Sequence, residues 1–193
     1  MDKRQQRSGL ITARVAALRA QSTQPTRQRS DALVAAVLTN RHIAQACERS
    51  QTIASYQSFG TEPPTHELNA ELRRMGATVV VPTFEDDHGT RATHLSWHVL
   101  TDAGIRPEPL ADSGHDFAQL NCAAVIIPAL AVGKDGSRLG RGGGYYDRAL
   151  SALTRYPTGP IRIAIVYEDE VFDTLPRESH DELVDEYVAI SID

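Results

Sequence analysis

Four glycines fall among five consecutive residues, Gly140, Gly142, Gly143 and Gly144, with Arg138 and Arg141 beside them and Tyr145, Tyr146 and Asp147 directly after. Glycine buries no side chain and loses the most backbone entropy on folding, so this density implies close backbone approach to a ligand. Successive N–H groups in such a loop turn into a concavity that favours anions. The arginines add fixed positive charge at its rim. Apolar spacing at Tyr146, Ala149, Leu150 and Leu153 predicts a helix after the loop, and Ala123 to Pro128 upstream reads as a buried strand. Strand, arginine-bearing glycine loop and helix N-terminus together suit a polyphosphate.

Two common phosphate motifs do not account for the loop. Gly133-Lys134 is followed by Asp135 where a P-loop needs Ser or Thr, and Tyr145 stands where the dinucleotide fingerprint needs its third glycine. Other constellations read as bland. His94 and His98 have the i, i+4 spacing of zinc ligands on a helix, but they sit in an alternating strand pattern, where four residues span roughly 13 Å. They read as solvent-face histidines. Cys47 near His42 lacks a polar residue to orient a thiol nucleophile.

The elements that must position the loop follow from pattern. Residues 4–20 read as a helix with Leu10, Val15 and Leu18 inward, 21–29 as a polar link with Pro25, and Ser30 as the N-cap of a second helix carrying Leu33, Val34, Val37 and Leu38. Strands are expected at Thr52 to Tyr56, Ala77 to Pro82, Thr93 to Val99, Ile161 to Tyr167 and around Tyr187 to Ile190, and a helix over Thr65 to Met75 stopped by Gly76. Residues 85–89 read as an acidic turn, and Thr101 to Leu120 as largely loop. The alternation implies an α/β fold, a single open, largely parallel sheet flanked by helices, in one domain over residues 1–193.

Composition bounds the function classes. A hydrophobic share of 41% with 23% charged residues is ordinary for a soluble globular chain. Two lone cysteines suit a reducing cytosol, no secretory pattern opens the chain, and the longest apolar run is too short for a bilayer, so a cytoplasmic protein without membrane contact is expected. Residues 1–29 carry seven basic side chains against Asp2 alone, while the whole chain is −5. The acidic remainder and the lack of interleaved aromatics argue against nucleic acid. One or two of those arginines could instead close over a bound polyphosphate.

From Pro128-Ala129-Leu130-Ala131 through Gly136-Ser137-Arg138-Leu139-Gly140-Arg141-Gly142-Gly143-Gly144-Tyr145-Tyr146-Asp147-Arg148, the chain resembles the 5-formyltetrahydrofolate cyclo-ligase family, and the likeness extends over nearly its whole length. The resemblance implies ATP-dependent closure of 5-formyltetrahydrofolate to the 5,10-methenyl form with Mg²⁺, through a phosphorylated formyl group, by a monomer acting on small molecules. It assigns Arg7, Arg138, Gly140, Arg141, Gly142, Gly143, Gly144 and Tyr146 to the nucleotide, and Phe59, Glu62 and Tyr145 to the folate. Arg141 and Tyr145 are the expected catalytic pair, and Asp147 with Asp181 the metal carboxylates. Glu62 and Thr65 match the family's Glu-x-x-Thr; Trp97 matches loosely and suits the core equally well.

The chain also departs from the family. Ala123 replaces an acidic residue at the opening of the strand before Pro128, another Asp is usual in the family near Gly133, and Gly143 stands where some members have Lys. Glu170 replaces Gln in the pattern begun by Tyr167. The N-terminal Lys-x-x-x-Arg pair falls either on Arg7 and Ile11 or on Lys3 and Arg7. These changes leave open an alternative, a non-catalytic folate- or nucleotide-binding relative.

Overall fold

The computed structural model describes residues 3–20, 26–85, 91–106, 110 and 117–192. β8 (Ile161–Tyr167), second from one edge of the main sheet, is buried at all seven residues. Apolar residues at every position but one suit a strand covered on both faces, and the exception, Arg162, is buried with its guanidinium paired to Glu182 (2.8 Å) and the Leu150 carbonyl (3.0 Å). The strand pairs in parallel with β5 (Ala124–Pro128) on one side and β10 (Glu186–Ile190) on the other. β5 pairs with β1 (Thr52–Ala54), and β1 with β2 (Thr78–Glu85), again in parallel. Two antiparallel strands, β3 (Arg91–Thr101) and β4 (Gly104–Ile105), complete a seven-stranded sheet ordered β10-β8-β5-β1-β2-β3-β4. The expected largely parallel α/β sheet is therefore present.

Helices cover both faces. α1 (Lys3–Ala20), α2 (Thr26–Leu38), α3 (Arg41–Glu48) and α4 (His66–Arg74) precede α5 (Tyr145–Ser151), which follows the glycine loop. Leu33 and Val37 of α2, Ile43 of α3 and Leu68 and Leu72 of α4 pack with Ile53, Val79, Ile126 and Ile163 in one fully buried cluster. The opposite face gathers Leu150 of α5 with Val80, Val125, Ile127, Trp97 and Phe117, the last two stacked at 4.2 Å. Each such aliphatic side chain contributes about 1.5–3 kcal/mol by leaving water. Trp97 thus has a core role. Asn40 caps α3 by accepting the N–H groups of His42 and Ile43, and Gly76 at φ +101° lets the chain turn after α4.

Several expectations require correction. Ser30 is not an N-cap but a buried interior residue of α2, because the helix begins at Thr26; residues 21–25, with Pro25, lie outside the described residues. The stretch 101–120, expected to be largely loop, holds β4 and a short 3-10 turn at Ala118–Leu120, while residues 107–109 and 111–116 lie outside the described residues. Residues 86–89 of the expected acidic turn also lie outside the described residues. His94 is exposed as expected, but His98 is buried, since β4 brings the Arg106 carbonyl onto its Nδ1 (2.9 Å) while Nε2 meets Thr83 Oγ1 (3.1 Å). A second sheet, β6 (Ala131–Gly133) between β7 (Arg138–Leu139) and β9 (Val171–Phe172), escaped the sequence reading. In α1, Leu10 and Leu18 do pack inward, yet the buried residue is Arg14. No helix among the described residues is long and apolar enough to cross a membrane.

Candidate active site

Strand order reverses between β1 and β5: the chain leaves β1 toward β2 and leaves β5 toward β8. The loops after these two strands therefore diverge, opening a crevice at the carboxyl end of the sheet, the usual ligand position in open α/β folds. A cavity of about 910 Å³ lies there, bounded by Tyr56, Phe59 and Glu62 after β1 and by Pro128, Ala129 and residues 138–147 after β5. Its size is near the upper end of small-molecule sites, roughly 300–1,000 Å³.

The loop after β1 is pinned from beneath. Thr65 donates its hydroxyl to the Tyr56 carbonyl (2.7 Å) and accepts the Ser58 N–H (3.0 Å), while Asn69 Nδ2 donates to the same Tyr56 carbonyl (2.9 Å). This fixes Glu62, whose Oε2 accepts the Phe59 N–H (3.1 Å) and whose Oε1 receives Arg141 Nε (3.0 Å). Glu62 is buried, whereas Phe59 is 58% exposed at the mouth, with the Arg141 guanidinium 4.6 Å from its ring centroid. Burial first, and then the Glu62 charge, push the Tyr56 phenol well up. Tyr146 is raised for the same two reasons; it lines the cavity, with Trp97 edge-on at 6.5 Å and the Arg138 guanidinium 5.9 Å from its ring.

The glycine loop has the geometry its composition implies. Gly142 (φ +93°) and Gly144 (φ +65°) lie where L side chains are strained, and a Cβ on Gly140 would stand 2.9 Å from Arg138 Nη1. Arg7 Nε reaches from α1 to the Gly140 carbonyl (3.0 Å). Arg138, set by β7, gives Nη2 to Asp147 Oδ1 (2.8 Å), and that same oxygen accepts the N–H of Glu182 (3.2 Å). Asp147 and the segment holding Asp181 thus share one wall. Tyr145 meets Phe84 edge-on at 5.4 Å, with the Arg148 guanidinium 5.1 Å from its ring.

Asp181 Oδ2 accepts the Glu178 N–H (2.6 Å) and pairs with Lys3. Burial pushes this carboxyl up, but the N–H bond and the Lys3 ammonium outweigh it and hold it below the ordinary value. Ligand atoms of Glu178, His180 and Asp181 lie within 4.8 Å of one another. Carboxylate oxygens are the hard donors Mg²⁺ takes, usually one or two beside phosphates and water; Asp181 stands in this cluster, while Asp147 is not part of it and pairs with Arg138.

All the nominated residues come together, and the structure adds others. Lys3 and Arg7, rather than Ile11, face the cavity. Glu170 lies outside the cavity wall, paired with Arg14. Lys3, Arg7, Leu10, Arg14 and Leu18 recur at helical spacing, so counting charged residues together with apolar ones would have shown the inward stripe of α1.

Sequence comparison bears on this geometry. The profile of the 5-formyltetrahydrofolate cyclo-ligase family matches residues 1–189. The chain belongs to that family. A 5-formyltetrahydrofolate cyclo-ligase of Mycolicibacterium smegmatis is 33% identical over 139 residues, covering 68% of this chain and 69% of the relative. The mouse 5-formyltetrahydrofolate cyclo-ligase is 28% identical over 167 residues, covering 78% and 79%. Among solved structures, a 5,10-methenyltetrahydrofolate synthetase from Mycoplasma pneumoniae superposes with a TM-score of 0.67 at 24% identity, over 97% of this chain and 98% of its own. Membership makes this chain a ligase of folate one-carbon chemistry, and the superposition shows the cyclo-ligase fold.

Proposed function

We propose that the chain closes 5-formyltetrahydrofolate to 5,10-methenyltetrahydrofolate at the expense of ATP, as a cytoplasmic monomer acting on small molecules without nucleic acid. The observation that carries this reading is the single cavity joining Glu62 and Phe59 to the Arg138–Asp147 loop across the switch point. The substrate formamide is unreactive until its oxygen becomes a leaving group. Phosphorylation of that oxygen lets the second folate amine attack the formyl carbon. The amine sheds its proton, the oxygen departs with phosphate, and the methenyl cation remains.

The chain supplies positioning and charge rather than a nucleophile, as in phosphoryl transfer generally. Gly140 to Gly144 let the phosphates approach the backbone, while Arg7, Arg138 and Arg141 offset their charge; the burial of Arg138 spares its charge from screening by water. Tyr146 backs the nucleotide side of the wall. Glu62 orients the folate, Phe59 flanks it at the mouth, and Tyr145 lies beside the reacting group. Mg²⁺, held by Asp147 and Asp181, would offset phosphate charge when bound. Arg141 leaves Glu62, and Lys3 leaves Asp181, as the ligands enter.

The test is methenyltetrahydrofolate absorbance from 5-formyltetrahydrofolate, with and without ATP and Mg²⁺, beside Asp147→Ala. We expect product only with both, and a loss of at least about 100-fold in the variant, the scale of one lost electrostatic group. Folate binding without product would leave a non-catalytic folate-binding relative.

A further inference from the structure

The first helix has a single buried residue, and it is an arginine. Arg14 forks onto Glu170, with Nε 2.5 Å from Oε1 and Nη2 2.6 Å from Oε2. Nη2 also donates to the Ala129 carbonyl (2.9 Å), directly after β5, while Glu170 Oε2 accepts the Tyr167 N–H (2.9 Å) at the end of β8. Side-chain exposure is 0% for Arg14 and 6% for Glu170. A buried pair of this kind is kept or lost together, because removing one partner strands the other charge out of water. It joins α1 to the two strands that end at the cleft.

We infer that Arg14 and Glu170 are positioning residues: they fix the angle of α1, and through it the reach of Lys3 and Arg7 over the nucleotide side of the cleft. The inference rests on the proposed reading in giving those two cations to ATP. Arg14 follows Arg7 by two helical turns and Lys3 by three, on the same face. The distances along the axis are about 10 and 16 Å, so a tilt of about 10° at Arg14 displaces the Lys3 end by about 3 Å. Leu10 and Leu18 pack only partly buried against the body. Two further polar ties of this face, Lys3 to Asp181 and Arg7 to Gly140, join groups in the cleft wall that ligand entry would disturb. Arg14 and Glu170 are not part of that wall, so although Nη2 also reaches the Ala129 carbonyl within it, the fork between the two side chains stays. Glu170 supplies the charge that Arg14 needs.

The test uses Glu170→Gln and the double variant Arg14→Leu/Glu170→Gln, which leaves no buried charge. Thermal unfolding first confirms that each is folded. Steady-state kinetics then separate the substrates, and hydrogen exchange follows residues 3–13 in the absence of ligand. In the double variant the KM for ATP should rise at least about tenfold while that for the folate stays within about twofold, since misplacing a positioning group by an ångström can cost far more. Exchange over residues 3–13 should quicken while β5 and β8 keep their protection. A folded double variant with unchanged ATP KM and unchanged exchange overturns the inference, as does an equal rise in both KM values. Wild-type protein without turnover would sink the cyclo-ligase reading instead, and the exchange measurement would then decide the positioning role.

Discussion

At the scale of single residues, the turn between β6 and β7 shows how an exposed carboxylate gains a role. Asp135 Oδ1 accepts the Ser137 hydroxyl and the Ser137 N–H (3.0 Å), and its Oδ2 accepts the Thr174 hydroxyl (2.8 Å). The Ser137 side-chain and backbone bonds lead in lowering its pKa to about 2. A folded pKa below the unfolded one, about 3.9, adds stability that is whole above the unfolded value and fades as pH falls through the folded one. The urea midpoint of wild type should therefore exceed that of Asp135→Asn by a constant amount near neutrality, and the gap should close between about pH 4 and pH 2. A gap that ignores pH would refute this. The thiols are quieter still: burial pushes Cys122 up to about 12 and raises Cys47, with Glu71 adding to the latter. That agrees with reading Cys47 as no nucleophile. Single residues were legible where composition alone spoke, as at Gly140 to Gly144. They were not where a neighbour distant in sequence set the role: His98 is buried by Arg106, and Arg14 by Glu170.

At the scale of elements, the glycine loop and α1 are fitted to each other. A Cβ at Gly142 would meet Arg7 Nη1 at 3.2 Å on a backbone already at φ +93°. Gly142→Ala should cost about 1–3 kcal/mol of local strain. It should also raise the KM for ATP more than that for the folate. Gly9, inside α1 with nothing within 4 Å of its would-be Cβ, is the contrasting site. There alanine should stabilise the helix by about 1 kcal/mol, readable as a higher unfolding midpoint. A loss of stability at Gly9, or equal effects on both substrates at Gly142, would contradict this. Elements were legible in proportion to their length. The strand Ile161–Tyr167 agrees end to end with the expected one, but β6, β7 and β9 are two or three residues each, and their pairing with one another, not local pattern, makes them strands. That small sheet is what holds Arg138 beneath the loop.

At the scale of the whole molecule, the reversal of strand order builds one cleft from separate stretches of chain, and a third stretch, α1, reaches it from far away in sequence. Lys3 meets Asp181 across 178 positions, Arg14 meets Glu170 across 156, and Arg7 meets Gly140 across 133. The open parallel sheet was legible because its strands are mostly apolar, as at Val79–Val81, Ala124–Ile127 and Ile163–Val166; the convergence on α1 was not, since no local pattern announces a partner so distant. It has a bearing on how the molecule comes to exist. During synthesis α1 emerges before any of these partners, and contacts of such separation are slow to close. A helix made before all of these partners is expected to dock late. Refolding followed at α1 should therefore lag behind β5 and β8 in pulsed hydrogen exchange, and simultaneous protection would contradict that order. Until β8 and Glu170 have been made, the Arg14 charge has nowhere to go but water, which keeps the young helix soluble while the sheet assembles without it.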